Sequence, residues 1–172
     1  DRRAGQDLMA FDLETVRTAL VNILVDNTAT ISGSLTAANI AMVRKGTPVT
    51  KPPGLAQYPA LWVSYRGKDQ QWANLGNHAQ REIRPGYRIW GALNAGPENN
   101  ASGIGGHELA EIESGTMADN IEGVLRANIT LSNTVGWSAP VHTEYNASMP
   151  GFGPEAHVCA FYVDVDCFTL DT

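Results

Sequence analysis

The residues that organise this chain are 105–131, GGHELAEIESGTMADNIEGVLRANITL. Apolar side chains recur here at three- and four-residue spacings, which predicts one long amphipathic helix. The predicted buried arc consists of Leu109, Ile112, Thr116, Met117, Ile121, Val124 and Leu125. The predicted charged stripe opposite consists of Glu108, Glu111, Asp119, Glu122 and Arg126. Because the flanking segments are predicted strands, the expected partner of the buried arc is a β-sheet.

The rest of the chain predicts one further long helix and four strands. Asp12 is a suitable N-cap for a helix over residues 13–27. Alternating side chains predict strands over residues 58–66, 80–93, 139–148 and 157–170. Polar residues 67–79 are predicted to form a loop, and Pro85-Gly86 predicts a bulge or an edge position. The order α-β-β-α-β-β predicts an α+β fold, with a mostly antiparallel sheet and helices packed on one face.

Two segments fall outside this simple order. Residues 1–11 are predicted to form an N-terminal arm, and residues 28–57 are too long for a bare connection within a compact domain. Within the second segment, residues 34–44 fit a short helix and residues 40–43 fit a strand, and both alternatives remain open. We expect this excursion to contact a neighbouring molecule. The whole chain, 1–172, is predicted to be a single domain.

Composition narrows the possible functions. The formal net charge of −6 argues against a free-standing nucleic-acid binder and against attachment to an anionic membrane. No apolar run approaches the roughly 18 residues that a membrane span needs. Cys159 and Cys167 lie in one predicted strand, too far apart for a disulfide, so we expect two free thiols on a core face.

The beginning of the long helix is the most plausible place for catalysis. His107 and Glu111 lie one helical turn apart and offer two ligands to a metal, but the zinc-protease motif requires a second histidine at position 111. Glu108 and Glu111 are more simply explained as carboxylates that favour the positive end of the helix dipole. We therefore predict no catalytic residue, metal or cofactor. A small metal-dependent enzyme using His107 and Glu111 is the alternative from a different functional class.

A pattern of charge and aromatic residues on the predicted strands carries more information. The side chains opposite the core positions include three arginines, two aspartates and three large aromatic residues: Arg66, Arg84, Arg88, Asp164, Asp166, Trp62, Trp90 and Tyr162. One interpretation is ordinary cross-strand pairing within one sheet. The other is a subunit interface, in which basic and acidic patches of successive copies meet and close a ring.

The order of elements resembles the tail terminator proteins of long-tailed bacteriophages. The resemblance rests on the opening helix at residues 16–24, the segment YPALWV at 58–63 and the strand at 84–93. It continues through the helix with the acidic stripe and the final Val/Phe strand, and covers about residues 12 to 170.

The resemblance implies a non-enzymatic virion protein of the phage tail or neck, assembled in the host cytoplasm. It implies a hexamer ring that caps the tail tube, meets the head connector and surrounds the DNA without sequence-specific binding. The acidic stripe, Glu108, Glu111, Asp119 and Glu122, is then expected to face the channel, where it repels phosphate. A head-closure (stopper) protein or a tail tube protein of the same assembly are the nearest alternatives.

Overall fold

The computed structural model describes residues 11–32, 40–48, 58–74, 80–94, 106–148 and 158–171. Three helices and five strands occur there: α1 (Leu13–Asp26), α2 (Thr28–Ser32), β1 (Met42–Lys45), β2 (Ala60–Asn74), β3 (Gln80–Asn94), α3 (Gly106–Ala127), β4 (Trp137–Tyr145) and β5 (Val158–Asp171). The predicted α+β class is confirmed. The order differs from the predicted one because α2 and β1 both lie in the 28–57 excursion.

The five strands form one mixed sheet in the order β1-β2-β3-β5-β4. β1 runs parallel to β2, and the other neighbouring strands are antiparallel. β3 therefore lies in the middle of the sheet, and the predicted edge position of Pro85-Gly86 is wrong. The irregularity itself is present, but the register shift occurs in β2, between Tyr65 and Gly67.

The first helix is confirmed, with its predicted cap. Asp12 Oδ1 accepts a hydrogen bond from the Glu14 backbone N–H at 2.9 Å, and Asp12 Oδ2 accepts one from Thr15 Oγ1 at 2.7 Å. Such a cap satisfies backbone donors that have no partner inside the helix. The buried side chains of α1 follow helical spacing: Val16, Ala19, Leu20, Ile23 and Leu24. α1 therefore packs on the sheet through one apolar stripe.

Two local predictions are wrong in the part of the chain that the structure describes. β2 continues to Asn74, although residues 67–74 were predicted to be a loop. These polar residues pair with β3 through their backbones, with Asp69 opposite Arg84 and Gln71 opposite Glu82. In the excursion, β1 is a strand over Met42–Lys45. Of the two open alternatives, the strand at 40–43 is therefore confirmed for 42–43, and the helix at 34–44 is wrong for 42–44. Residues 34–39 and most of the predicted N-terminal arm lie outside the described residues.

The main core lies between one face of the sheet and the helices α1 and α3. It includes Leu61, Tyr87, Ile89, Phe161 and many smaller side chains. Phe161 crosses the sheet directly over Gly91, because a Cβ atom added at Gly91 would lie 2.2 Å from Phe161 Cζ. The absence of a side chain at Gly91 therefore makes room for the ring.

Both cysteines lie in this core as free, buried thiols, as predicted. Burial raises the pKa of Cys167 to about 12. Burial also raises the pKa of Cys159, with a smaller contribution from the negative charge of Glu111. The thiolate is the reactive form of cysteine, so these shifts make both side chains poor nucleophiles.

The long helix α3 ends at Ala127, before the predicted residue 131. Its buried face also differs from the predicted arc, because Ile112 is 53% exposed. The buried residues are Ala110, Glu113, Ser114, Met117, Ala118, Ile121, Val124 and Leu125. Small side chains at positions 110, 114 and 118 thus face the core, where close packing favours them. The predicted arc differs from the buried face because side-chain size, as well as apolar character, decides which residues fit against the sheet.

Candidate assembly surface

The sheet has a second face, directed away from the helices, and the predicted interface residues lie there. Register places residues of neighbouring strands side by side in rows across this face. The first row is Ala60, Ala92 and Ala160; the second is Trp62, Trp90, Tyr162 and Glu144; the third is Ser64, Arg88, Asp164 and His142. In the described part of the chain no helix belongs to the apolar cluster on this face.

An ion-pair network lies at the centre of this second face. Arg88 binds Asp164 with two hydrogen bonds, Nε to Oδ1 at 2.7 Å and a terminal guanidinium nitrogen to Oδ2 at 2.9 Å. Arg66 approaches Asp164 Oδ2 at 3.4 Å and also pairs with Asp166. The Asp164 hydrogen bond raises the pKa of Arg88. A bidentate pair of this kind fixes both side chains in place.

These contacts are the cross-strand pairing that was one of the two interpretations of the charge pattern. Arg66, Arg88, Asp164 and Asp166 satisfy one another within one chain. Their opposite charges are therefore not free to attract a neighbouring copy. The subunit interface assigned to these residues stays a prediction, without the unpaired charge on which it was based.

The tryptophans of this face were expected to be exposed at an interface, but they are buried within the chain. Trp62 is 5% exposed and Trp90 is 6% exposed. Trp90 Nε1 donates to Ser64 Oγ at 3.2 Å, and its ring meets Tyr162 edge-to-face with centroids 5.2 Å apart. The Arg88 guanidinium lies 3.7 Å from the centroid of the Tyr162 ring. The aromatic residues therefore enclose the ion pair, and edge-to-face geometry stabilises their arrangement.

Arg84 lies apart from this network, on β3, opposite Asp69 in the part of β2 that was predicted to be a loop. Its Nε binds Glu82 Oε1 at 2.5 Å, and its side chain is exposed. Arg84 also lines a cavity of about 360 Å³ together with Lys68, Asp69 and Asp166. With Arg66, three basic and two acidic side chains line this cavity, and the lining indicates no particular ligand.

The acidic stripe of α3 lies along β4. Glu108, Glu111 and Asp119 are exposed, and Glu122 is half-buried. Glu111 accepts a hydrogen bond from Asn146 at 3.0 Å, and Glu122 accepts one from Thr143 at 2.5 Å. Glu122 also pairs with Arg126 at 2.6 Å. The stripe therefore borders the β4 side of the molecule.

No metal site is formed by the described side chains, since no group of three His, Cys, Asp or Glu residues is close enough to hold an ion. The side chain of His107 lies outside the described residues. Its predicted partner Glu111 is exposed and bonded to Asn146. The metal-dependent enzyme remains an untested alternative.

The sheet also has two open edges, which sequence reasoning missed. β1 pairs only with Ala60, Leu61, Trp62 and Val63, so no described strand covers the outer side of β2 over residues 64–74. At the other edge, β4 pairs with β5 and with no further described strand. The available signal was Trp72, a large aromatic residue within a polar segment, which is 63% exposed.

Comparison with known proteins leaves the resemblance as a prediction. No protein-family model matches the sequence, and no curated protein matches it. Within the described residues, none of the helices combines the length and the apolar character needed to cross a lipid bilayer.

Proposed function

We propose that this chain is a structural virion protein like the phage tail terminators. In this role it forms a ring that caps the tail tube and joins it to the head connector, while DNA passes through the ring. The partners are further copies of the chain, the tail tube protein and the head connector or stopper protein. The protein belongs to the neck of the virion and assembles in the host cytoplasm.

The observation that supports this proposal most directly is the two-sided character of α3. One face of the helix is packed into the core through Met117, Ile121 and Leu125, which are fully buried. The other face presents Glu108, Glu111 and Asp119 to solvent. The helix is thus anchored on the sheet, and its carboxylates form a row of negative charge on the outer side.

Such a row suits the wall of a DNA channel. Double-stranded DNA carries one negative charge per about 1.7 Å of its axis, and proteins that hold it neutralise phosphates with Lys and Arg. Carboxylates do the opposite, since they repel phosphate and allow the duplex to slide. We propose that Glu108, Glu111, Asp119 and Glu122 face the channel in the ring.

The first experiment tests the ring itself. The purified protein is measured by light scattering, with and without a chelator, and imaged by electron microscopy alone and with isolated tail tubes. The proposal predicts rings with a central opening, in solution or on tube ends, at the same mass with and without chelator. A monomer that leaves tube ends bare contradicts the proposal, and chelator-sensitive activity would favour the enzyme alternative.

The second experiment tests the channel. Glu108→Lys adds positive charge to the stripe, while the matched control Asp26→Lys makes the same charge change on an exposed residue of α1. We expect both variants to form rings, and only the Glu108→Lys ring to retain linear DNA in a gel mobility assay. Equal DNA retention by the two variants, or loss of the ring in Glu108→Lys alone, contradicts the channel assignment. The head-closure and tube alternatives predict binding to the connector or along the tube instead of at tube ends.

A further inference from the structure

We infer that successive copies join edge to edge, with β2 of one copy paired to β4 of the next, so that one β-sheet continues around the ring. This inference rests on the proposed ring and identifies the surfaces that build it. The subunit contact is thereby assigned to the two open edges of the sheet. The second face is not needed for it, because the charges there are paired within the chain.

The backbone provides the first reason. Residues 64–74 of β2 lie beyond the end of the β1 pairing, and β4 has no outer neighbour in the described part of the chain. An uncovered strand presents a row of unpaired N–H and C=O groups that is ready to pair with another strand. The most regular stretch of β2 is residues 67–72, which lies between two register shifts. In β4 the shift between Pro140 and His142 separates two regular stretches, 137–140 and 142–145, of which only the second contains no proline.

Exposed apolar side chains provide the second reason. Charged residues and proline at a free edge oppose association, and both edges carry some: Arg66, Lys68 and Asp69 on β2, and Pro140 and Glu144 on β4. The same two strands nevertheless expose apolar surface. Among the described residues nine large apolar side chains are exposed, and five of them belong to these two strands: Tyr65, Trp72, Trp137, Val141 and Tyr145. Aromatic residues are enriched at protein interfaces, where their large surfaces leave water. Both edge strands therefore resemble surfaces that a partner molecule covers.

Strand direction shows that the two edges fit each other. β2 and β5 run in one direction, whereas β3 and β4 run in the other. A rotation about the ring axis keeps the helix layer of every copy on the same side, and so it keeps the strand directions too. β4 of one copy then meets β2 of the next in antiparallel orientation, which is the more stable pairing per residue.

Charge distinguishes this head-to-tail joint from pairing between identical edges. The open part of β2 carries Lys68 and Asp69, since Arg66 is paired within the chain, whereas β4 carries Glu144 and no Lys or Arg. Pairing β4 with β4 would bring two acidic edges together, each bordered by Glu111 and Glu122, and like charges across strands destabilise a sheet. Pairing β2 with β4 avoids this repulsion. A head-to-tail contact is also the kind that generates a closed ring.

Two exposed positions allow each edge to be disrupted without disturbing the core. Trp72→Glu places an acid on the β2 edge, and Val141→Lys places a base on the β4 edge. Val25 is the matched control, since it is an exposed apolar residue of α1, and Val25→Glu and Val25→Lys make the same changes away from both edges. We expect the first two variants to shift from ring to monomer mass in light scattering, and both Val25 variants to keep the ring.

Cross-linking tests which edges meet. Gln71→Cys lies on β2 and His142→Cys lies on β4, both at exposed positions, whereas the native cysteines are buried. The two variants are incubated with a bismaleimide, separately and as a mixture. Head-to-tail pairing predicts covalent dimers in the mixture only. Dimers formed by either variant alone indicate identical edges in contact and overturn the inference.

The outcomes separate this inference from the proposed function. Rings that survive both Trp72→Glu and Val141→Lys overturn the edge joint and leave the ring proposal intact. Wild-type protein that stays monomeric in solution and yields no covalent dimer in the mixture also overturns the edge joint, while rings on tail tubes would still support the function. Absence of rings from both solution and tube ends overturns both.

Discussion

The two faces of the sheet are held by different forces. On the helix-covered face, Phe161 crosses Gly91 and the contact is purely one of shape. On the second face, Asp164 is buried between Arg66 and Arg88, and the contact is one of charge and hydrogen bonding. The first face should therefore be more sensitive to an increase in volume than to a change of charge at its rim. The second should tolerate changes in volume better than the loss of a charged partner.

Gly91→Ala is expected to have the largest effect. A methyl group 2.2 Å from Phe161 Cζ forces the ring or the strand to move. Overpacking of a core costs typically 1–3 kcal/mol and sometimes more, and we expect about 3 kcal/mol in the free energy of unfolding, measured by urea denaturation. The matched control is Gly123→Ala, at an exposed position of α3 with no atom within 4 Å of the added Cβ. There we expect a gain of about 0.5–1 kcal/mol, because alanine favours helix. Equal effects of the two substitutions would contradict the shape-based view of this face.

Asp164→Ala is expected to have the next largest effect on the free energy of unfolding. Removing one partner of a buried pair costs roughly 3–5 kcal/mol when the remaining charge stays buried. Water reaches Arg88 and Arg66, whose side chains are 28% and 36% exposed, and screens part of this cost. We therefore expect Asp164→Ala to lower the free energy of unfolding by about 2 kcal/mol.

The control for Asp164→Ala is Asp166→Ala. Asp166 pairs with the same Arg66, but its side chain is 42% exposed. An exposed pair contributes up to about 1 kcal/mol, so the control should cost less than half as much in the same denaturation experiment. Similar losses for the two variants would show that burial of Asp164 is not what stabilises the second face.

Glu14→Gln tests the rim of the helix-covered face. Hydrogen bonds from Lys45 and Tyr65 and the nearby Arg17 lower the pKa of Glu14 to about 2 from its ordinary value of 4.5. A lowered pKa stabilises the fold at pH values above the ordinary value, and this stabilisation is lost as the pH falls towards the folded value. Thermal unfolding should therefore show a lower Tm for Glu14→Gln at pH 7, with the difference shrinking between about pH 4.5 and 2.

The Lys45→Met background is the control for this pH dependence. Lys45 makes the largest contribution to the low pKa of Glu14. If the ion pair is the cause, Glu14→Gln should change the Tm less in Lys45→Met protein than in wild type at pH 7. An undiminished change would assign the effect to α1 alone.

The last prediction concerns the reactivity of the two thiols and involves no change in stability. Cys159 and Cys167 are buried and their pKa values are raised, so neither should react with Ellman's reagent in the native protein at pH 8. Both should react once the protein is unfolded in guanidinium. One rapidly reacting thiol in the native state would show that the core opens near β5.

The sequence predicted those elements in which buried and exposed side chains differ in polarity. Val16, Leu20 and Leu24 lie one helical turn apart beside a capping Asp12, and α1 follows from them. The half of β2 beyond Gly67 was missed, because an exposed hairpin is held by backbone pairing and its side chains show no apolar alternation. Ile112 was placed in the core because its apolar character was visible and the fit of Ala110 and Ala118 was not.

The candidate surface shows the same limit. The sequence identified Arg66, Arg88, Asp164 and Asp166 as related by charge, and the structure brings them together. Whether such charges meet within a chain or between chains depends on strand order, and the pattern alone is compatible with both. The open edges were not predictable for a related reason, since an edge is defined by the strand that is absent beside it.

The position of β5 has a consequence for synthesis on the ribosome. β5 lies between β3 and β4 in the sheet, yet it follows both of them in the chain. Domains generally fold as units during translation, and β1, β2 and β3 are able to pair as soon as they emerge. β4 has no described partner until residues 158–171 have been made. A nascent chain stalled before that point would expose the bare inner edge of β3, so the sheet closes only when translation reaches β5.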